Sequence, residues 1–331
     1  MLKKQYLPKE KIISILNEYN IGVIKKIEPL ATSGNISYIV LTDTDEYFLR
    51  ISPDGIRWRS RGEIEAELEL ISFLSEKGIP VINAELQKNK ETVIELDNKF
   101  GYLRKYNRGE EILSPDTKHL KKFGRILGKY HKAIEGYRTK NHRKHTWDLE
   151  ETKKNFKQNK EIILKSSFSK KEEFIEKFEK EIFPLNFPKN LPLGTIHEDL
   201  GKRHVIWRKD SIIGIIDFDR CYFGKIILDL GQALRGWCFI DDWSNWSNKN
   251  FKAILEEYQK EKKLNGLEKE YLIDAVKFAV LERGLSFCLR FILVTQDPED
   301  GDYAMNSVSE NGFLNIIEKN RDKIEQIIKA A

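Results

Sequence analysis

The chain has 331 residues, 40% of them apolar and 33% charged, with a formal net charge of +5. That is enough chain for a large core under a heavily charged surface, in one big or two modest domains. No run approaches the roughly 18 consecutive apolar residues of a membrane span, the charged stretch from Met1 to Lys11 has no apolar h-region, and three cysteines without metal-ligand spacing form no disulfide framework; these features predict a cytoplasmic protein with no membrane partner.

The pattern predicts a short helix over residues 9–19, then strands at 22–31, 36–42 and 46–52. Thr32, Ser33, Gly34 and Asn35 connect the first two strands. Residues 63–76 are amphipathic at helical spacing, with Ile64, Leu68, Ile71 and Leu74 on one face. Gly78 and Pro80 end that helix. Strand-like runs follow at 81–87, 92–96 and 101–106, and a break at 104–109. A helix is expected at 117–133, ending near His131. The Lys-rich stretch 138–185 reads as one or two exposed helices, for example 170–183. Helix patterns also cover 226–240, 249–263, 268–295 and 308–330. Trp207, Trp237, Trp243 and Trp246 are expected in the core.

Between these helical stretches lies the most informative segment. His197, Glu198 and Asp199 precede a β-like run at 205–207. A polar break at 208–211 and a second run at 212–216 lead to Asp217, Phe218 and Asp219. The segment reads as a hairpin that delivers a carboxylate at each end. Phosphoryl transfer needs two such groups: one to take the acceptor's proton, the other to hold Mg²⁺ against nucleotide phosphates. The bland alternative is a pair of Asp-rich turns.

Residues 195–239 resemble the catalytic segment of the aminoglycoside phosphotransferase/choline kinase superfamily, which has a protein-kinase-like fold. The run Leu228, Asp229, Leu230, Gly231 through Trp237, Cys238 and Phe239 is most similar to its bacterial homoserine kinase branch. The resemblance implies an α+β fold of two lobes: residues 1–106 as a nucleotide-covering antiparallel sheet with one inserted helix, and residues 107–331 as a mainly helical catalytic lobe. It implies Asp199 as catalytic base, for which an ordinary pKa suffices, and Asp217 as the Mg²⁺ ligand; Asp219, expected on the same face of an extended segment, could assist the metal or contact the acceptor. His197 and Asp229 become structural braces, with Asp229 also read as a helix N-cap. The family carries Asn where this chain has His204, a poorer match for Mg²⁺ than a hard oxygen ligand.

The same resemblance assigns ATP to the hairpin at Ser33, Gly34 and Asn35, to Arg50 held by Glu67, and to the backbone of Lys105 and Tyr106 in the inter-lobe hinge. Lys202 and Arg203 could screen the γ-phosphate. The implied activity is ATP- and Mg²⁺-dependent phosphorylation of a small-molecule hydroxyl, on homoserine, an amino sugar or a related amino alcohol. The alternatives are a bacterial stress-type protein Ser/Thr kinase and a nucleotide-binding pseudokinase. A nucleic-acid partner is not expected, because no reading motif accompanies the basic stretch.

Overall fold

A short helix, α1 (Lys9–Asn17), precedes β1 (Ile24–Leu30), β2 (Ile36–Thr42) and β3 (Glu46–Ile51) in a computed structural model that describes residues 6–30, 35–53, 59–141, 143 and 146–331. After helix α2 (Arg61–Glu76) come β4 (Ile94–Leu96) and β5 (Lys99–Lys105), which complete an antiparallel sheet in the order β1-β2-β3-β5-β4. Successive side chains of a strand point to opposite faces. Tyr47, Leu49, Ile51 and Leu103 therefore share one face, where Ile12, Ile15 and Leu16 of α1 join them in a small core. Phe48, Arg50, Tyr102 and Arg104 stand on the other face, with Phe48 opposite Arg104 and Arg50 opposite Tyr102.

The inserted helix α2 begins where its sequence says it should. Ser60 accepts from the Glu63 backbone N–H, and the Glu63 carboxylate accepts from the Ser60 N–H at 3.0 Å, a reciprocal capping box. Ile64, Leu70, Ile71 and Leu74 are buried on its inner face.

The remainder is mainly helical. It runs β6 (Glu110–Glu111), α3 (Thr117–Ile134), α4 (Leu149–Lys165), α5 (Lys171–Ile182), β7 (Leu193–Ile196), the hairpin β8 (Val205–Arg208) and β9 (Ser211–Ile215), and β10 (Tyr222–Lys225). Then come α6 (Ile226–Cys238), the short pair β11 (Phe239–Ile240) and β12 (Asn245–Trp246), α7 (Asn248–Glu261), α8 (Gly266–Arg290), α9 (Pro298–Val308), α10 (Phe313–Lys319) and α11 (Arg321–Ala330). Helix α3 lies against α7 at backbone distance: a Cβ on Gly124 or Gly128 would stand 2.4 Å from Ile254 O or 2.5 Å from Tyr258 O. Phe123 of α3 stacks on Trp237 of α6 with ring centroids 3.8 Å apart, and each such buried ring contributes roughly 1.5–3 kcal/mol. The sheet meets this helical body where Ile215 N donates to Pro80 O at 2.6 Å.

Several sequence expectations need correction. Residues 81–87 are not a strand; they make single bridges, Val81 with Ile215 and Ala84 with Arg104. β4 pairs with β5 over Lys99–Gly101, and the segment meets the rest of that edge at the Ala84–Arg104 bridge and the hydrogen bond from Glu85 N–H to Leu103 O, without running along it. The helices within 138–185 are not merely solvated: Phe156, Ile163, Phe174, Phe178 and Ile182 are buried. The 268–295 pattern ends as α-helix at Arg290, passes through a π-turn at Phe291–Thr295, and stops where Gln296 turns left-handed at φ 55°. The 308–330 pattern is broken by the 309–312 turn and again at Asn320. Trp207, Trp237 and Trp246 are buried as expected, but Trp243 is only partly so.

Candidate active site

The catalytic loop leaves β7 and is held from behind by one buried carboxylate. Asp229 accepts from the backbone N–H of His197 at 2.9 Å and of Glu198 at 2.8 Å. Asp229 is the fourth residue of α6, so it caps this loop rather than its own helix. Burial opposes its charge, but the hydrogen bond from His131 Nε2 at 3.2 Å and the neighbouring histidines hold its pKa below the usual carboxylate value. His197 is a brace. Its Nε2–H donates to Ile216 O at 3.0 Å and its Nδ1 accepts from Asp199 N–H at 3.2 Å, so both nitrogens are used by the neutral ring. Burial lowers its pKa further.

Asp199 itself does not have an ordinary carboxylate pKa. Burial works against its charge, yet Arg283 of α8, then His204 and Arg220, more than offset this and keep it ionised far down the pH scale. Arg283 Nη2 is ion-paired with Asp199 Oδ1. Beside it, Glu198 takes a left-handed backbone at φ 72°, a conformation uncommon outside Gly, Asn and Asp. Its carboxylate is fixed by Arg220 and by Gln232 Nε2 at 2.9 Å. Arg220 also reaches Glu282 at 2.7 Å, so it clips the Asp199 loop to the Asp219 turn. Burial pushes the Glu198 carboxyl up to about 8, with Glu282 close by.

Across the cleft, Asp217 opens a 3₁₀ turn with φ 69° and ψ 54°. The Asp217–Asp219 segment is thus not extended, but its two carboxylates still converge. Arg50 Nη2 donates to Asp217 Oδ1 at 2.9 Å and to Asp219 Oδ2 at 2.8 Å. Burial opposes the Asp219 charge, while Arg50, Arg59 and Arg143 lower its pKa to about 2. Arg50 Nη1 lies 3.5 Å from Glu67 Oε1 and 3.3 Å from the Tyr102 hydroxyl, which itself donates to Glu67 at 2.8 Å. Glu67 carries a second buried arginine, Arg59, on its other oxygen. His204 ties the two halves together: Nδ1–H donates to Asp199 O and Nε2 lies 3.5 Å from Asp217 Oδ2. Burial opposes protonation of that ring, but Asp199 and Asp217 raise its pKa above the usual histidine value.

The structure therefore brings Asp199, Asp217, Asp219, Arg50, Glu67, His197, His204 and Asp229 into one region. Asn35 joins them, its carboxamide oxygen able to accept from Arg50 Nε at 3.0 Å. Ser33 and Gly34 lie outside the described residues. The hinge pair differs from expectation. Tyr106 N–H donates to Glu46 O at 2.8 Å, Lys105 O accepts from Arg104 Nη1 at 3.0 Å, and the Lys105 side chain turns to Asp45. Lys202 Nζ donates to Phe239 O at 3.3 Å and the exposed Arg203 pairs with Glu111, so neither points along Asp199. Among the described residues no three His, Cys, Asp or Glu side chains gather at metal-ligand spacing.

Sequence reasoning did not find Arg59, Tyr102, Arg220, Arg235 or Arg283. Arg220 follows Asp219 directly and was within reach of a closer reading. Arg283 and Arg235 sit in apolar helices with no local signal.

Residues 26–264 match the model of the phosphotransferase enzyme family. A homoserine kinase of Agrobacterium fabrum is 26% identical over 294 residues, 87% of this chain and 84% of that protein. Among solved structures, the amicoumacin kinase hAmiN in complex with AMP-PNP, Ca²⁺ and Ami superimposes with a TM-score of 0.71 at 18% identity, covering 95% of this chain and 94% of its own. A microcompartment-associated aminopropanol kinase gives 0.69 at 16% identity, covering 96% and 99%. At these identities the two structures report the protein-kinase-like fold.

Proposed function

The chain belongs to the phosphotransferase enzyme family, and on that premise we propose that it transfers the γ-phosphoryl group of Mg·ATP to the hydroxyl of a small amino alcohol, with homoserine the first candidate. The observation that carries this reading is the facing arrangement of Asp199 on one loop and of Asp217 and Asp219, both bound to Arg50, on the next. We take residues 1–106 as the nucleotide-covering lobe and 107–331 as the lobe that carries the chemistry and the acceptor.

The donor set suits a hard divalent cation. Two carboxylate oxygens already converge on one cationic nitrogen of Arg50, and carboxylates are the protein ligands Mg²⁺ prefers. Asp217 would hold the ion with help from Asp219, and it would neutralise phosphate charge there. His204 has Nδ1 committed to the loop backbone and only Nε2 turned to Asp217, so we assign it to loop geometry.

Arg50 is then the phosphate ligand on the sheet side. Its guanidinium is planar and matches phosphate oxygens bidentately. Glu67, Tyr102 and Asn35 fix its direction. Asp199 orients the acceptor hydroxyl and accepts its proton as the O–P bond forms. A carboxylate held ionised by Arg283 is a weak base, so positioning contributes more than basicity. That suits a loose transition state with little charge left on the attacking oxygen.

The test is a panel of hydroxyl acceptors with purified protein, ATP and Mg²⁺, read by phosphorus NMR. A phosphorylated amino alcohol is expected. Phosphate found only on protein would favour the protein-kinase alternative. ATP binding with no turnover of any acceptor would favour a regulatory nucleotide-binding module.

A further inference from the structure

The acceptor side of the cleft holds a cluster of arginines, and one of them differs from the rest. Arg220 is paired with Glu198 and Glu282, and Arg283 with Asp199. Arg235 of α6 is 8% exposed, yet among the described residues no carboxylate lies within ion-pair distance of it. Its hydrogen bonds go to neutral groups: Nε donates to Gln232 Oε1 at 3.0 Å and Nη1 to the Tyr303 hydroxyl at 2.6 Å. Trp243 covers one face of the guanidinium, 5.1 Å from its ring centroid. Nη2 makes no hydrogen bond among the described residues and is not sealed from solvent.

A guanidinium stays charged at any physiological pH. Burying it without a counter-ion is costly. A site that maintains such a cation with one open edge is short of an anion.

Its place in the fold says which anion. Gly236, the next residue, meets the catalytic loop: a Cβ there would stand 3.3 Å from Gly201 Cα. Gln232, which orients Arg235, also binds Glu198 beside Asp199. Tyr303 lies within the fields of Arg235, Arg283 and Asp199 together. The ATP phosphates are assigned to Arg50, which stands on the sheet and is bound to Asp217 and Asp219. The missing anion is therefore on the acceptor.

We propose that Arg235, presented by Gln232 and Tyr303 and backed by Trp243, is the receptor for a carboxylate on the acceptor, and that the acceptor is a zwitterionic hydroxy amino acid rather than a simple amino alcohol. The proposal rests on the small-acceptor phosphotransferase reading and deepens it. Planar, bidentate pairing is what a guanidinium gives a carboxylate.

The experiment compares L-homoserine with 3-aminopropan-1-ol, which is the same molecule without its carboxylate. The wild type should favour homoserine in kcat/KM by on the order of ten- to hundredfold, the range of one charge-assisted pair. In Arg235→Gln that preference should collapse, through a rise in the KM of homoserine with kcat moving less than about threefold. Arg235→Lys keeps the charge without the fork and should fall between the two. A wild type that does not discriminate overturns the proposal. So does an Arg235→Gln protein that loses both substrates equally, as expected if Arg235 only balances Glu198 and Glu282 at a distance.

If Arg235→Gln fails to fold, the wild-type ratio and Arg235→Lys still decide. If neither alcohol is phosphorylated, the amino-alcohol reading fails separately. The melting shift induced by each compound without ATP then tests Arg235 alone: a shift with homoserine only, reduced in Arg235→Lys, supports it, and no shift overturns it.

Discussion

The two arginines that flank the cleft are held in opposite ways. Arg50 on the sheet is surrounded by Glu67, Asp217, Asp219 and Tyr102. Among the described residues, Arg235 on α6 donates to a carboxamide and a phenol and pairs with no carboxylate. The first cation is over-supplied with negative charge, so its surroundings can also accept a metal ion when phosphates arrive. The second is under-supplied, so its surroundings fit a negatively charged group. On the proposed reading, the sheet side trades one cation for another when Mg·ATP binds, and the α6 side completes an ion pair. Asp199 stands between them, tied to the acceptor side by Arg283.

The largest effect should come from breaking that middle point. Asp199→Asn should lower turnover by at least about a hundredfold, since it removes the base and its share of positioning. Nucleotide affinity should stay within a few-fold, because Arg50, Asp217 and Asp219 are untouched. Steady-state turnover and calorimetric titration with Mg·ATP measure the two. A folded Asn variant with wild-type turnover would remove Asp199 from the chemistry. Asp217→Ala attacks the nucleotide side instead: Mg²⁺-dependent ATP binding should be lost, with acceptor-induced melting shifts preserved. Full affinity for Mg·ATP in that variant would reduce the Asp217–Asp219 turn to a structural feature.

A smaller effect tests how far the sheet-side cluster is a folding unit. Glu67→Gln leaves Arg59 and Arg50 buried with one formal negative charge fewer. Removing one partner from a buried ion pair costs roughly 3–5 kcal/mol. Asp217 and Asp219 still hold Arg50, so the low end of that range is expected, read as a lowered denaturation midpoint with an unchanged slope. A midpoint equal to wild type would mean that Arg59 is satisfied without Glu67.

How much of this was legible follows the same division. Asp199, Asp217 and Asp219 stand in short motifs at the two ends of one hairpin, which brings them together from the sequence, while Arg50 and Glu67 were placed by the family resemblance. Asp229 was found, though its capping role was misplaced: a carboxylate near a helix start looks like an N-cap until its acceptors are seen to be used on another loop. The acceptor side was not legible. Arg283 and Arg235 reach the site through the packing of α8 and α6, and a single Arg in an apolar helix has no signature of what it faces. The 308–330 pattern differs: its hydrophobic period runs across Asn311 and Gly312, a local turn signal that ends the helix there.

Acidity sharpens the contrast between the sides. Glu198 has its pKa raised to about 8 by burial beside Glu282. A carboxyl whose folded pKa lies above its unfolded value stabilises the fold at low pH and loses that contribution as pH rises. Between about pH 5 and 8 wild-type stability should therefore fall, by at most about 1.4 kcal/mol per pH unit. Glu198→Gln should flatten this slope and keep the Gln232 contact. Asp219, lowered to about 2 by Arg50, Arg59 and Arg143 against its burial, has the reverse sign: its contribution is present above the ordinary carboxylate range and is lost only in acid. Melting curves from pH 3 to 9 for both proteins separate the two. Parallel curves would mean that Glu198 is ionised with its arginine throughout.

The smallest effect expected is at His204, where the family resemblance implies an Asn and the chain carries imidazole. Its Nδ1–H donates to Asp199 O and its Nε2 faces Asp217 Oδ2 at 3.5 Å. Asp199 and Asp217 raise its pKa against the opposing burial, so they favour a protonated ring, whose positive charge lies beside the proposed metal ligand. That charge competes with a dication for Asp217. An Asn in its place can still donate to the loop carbonyl, and it offers a hard oxygen instead of a cation. His204→Asn should therefore keep turnover within about threefold at saturating metal, and the Mg²⁺ concentration for half-maximal rate should fall. Metal titrations across a pH series read this directly, and the gap between variant and wild type should narrow as pH rises and the ring loses its proton. A folded His204→Asn protein without activity would make the imidazole part of the chemistry, and would move the boundary between the two sides of the cleft from Asp199 to His204.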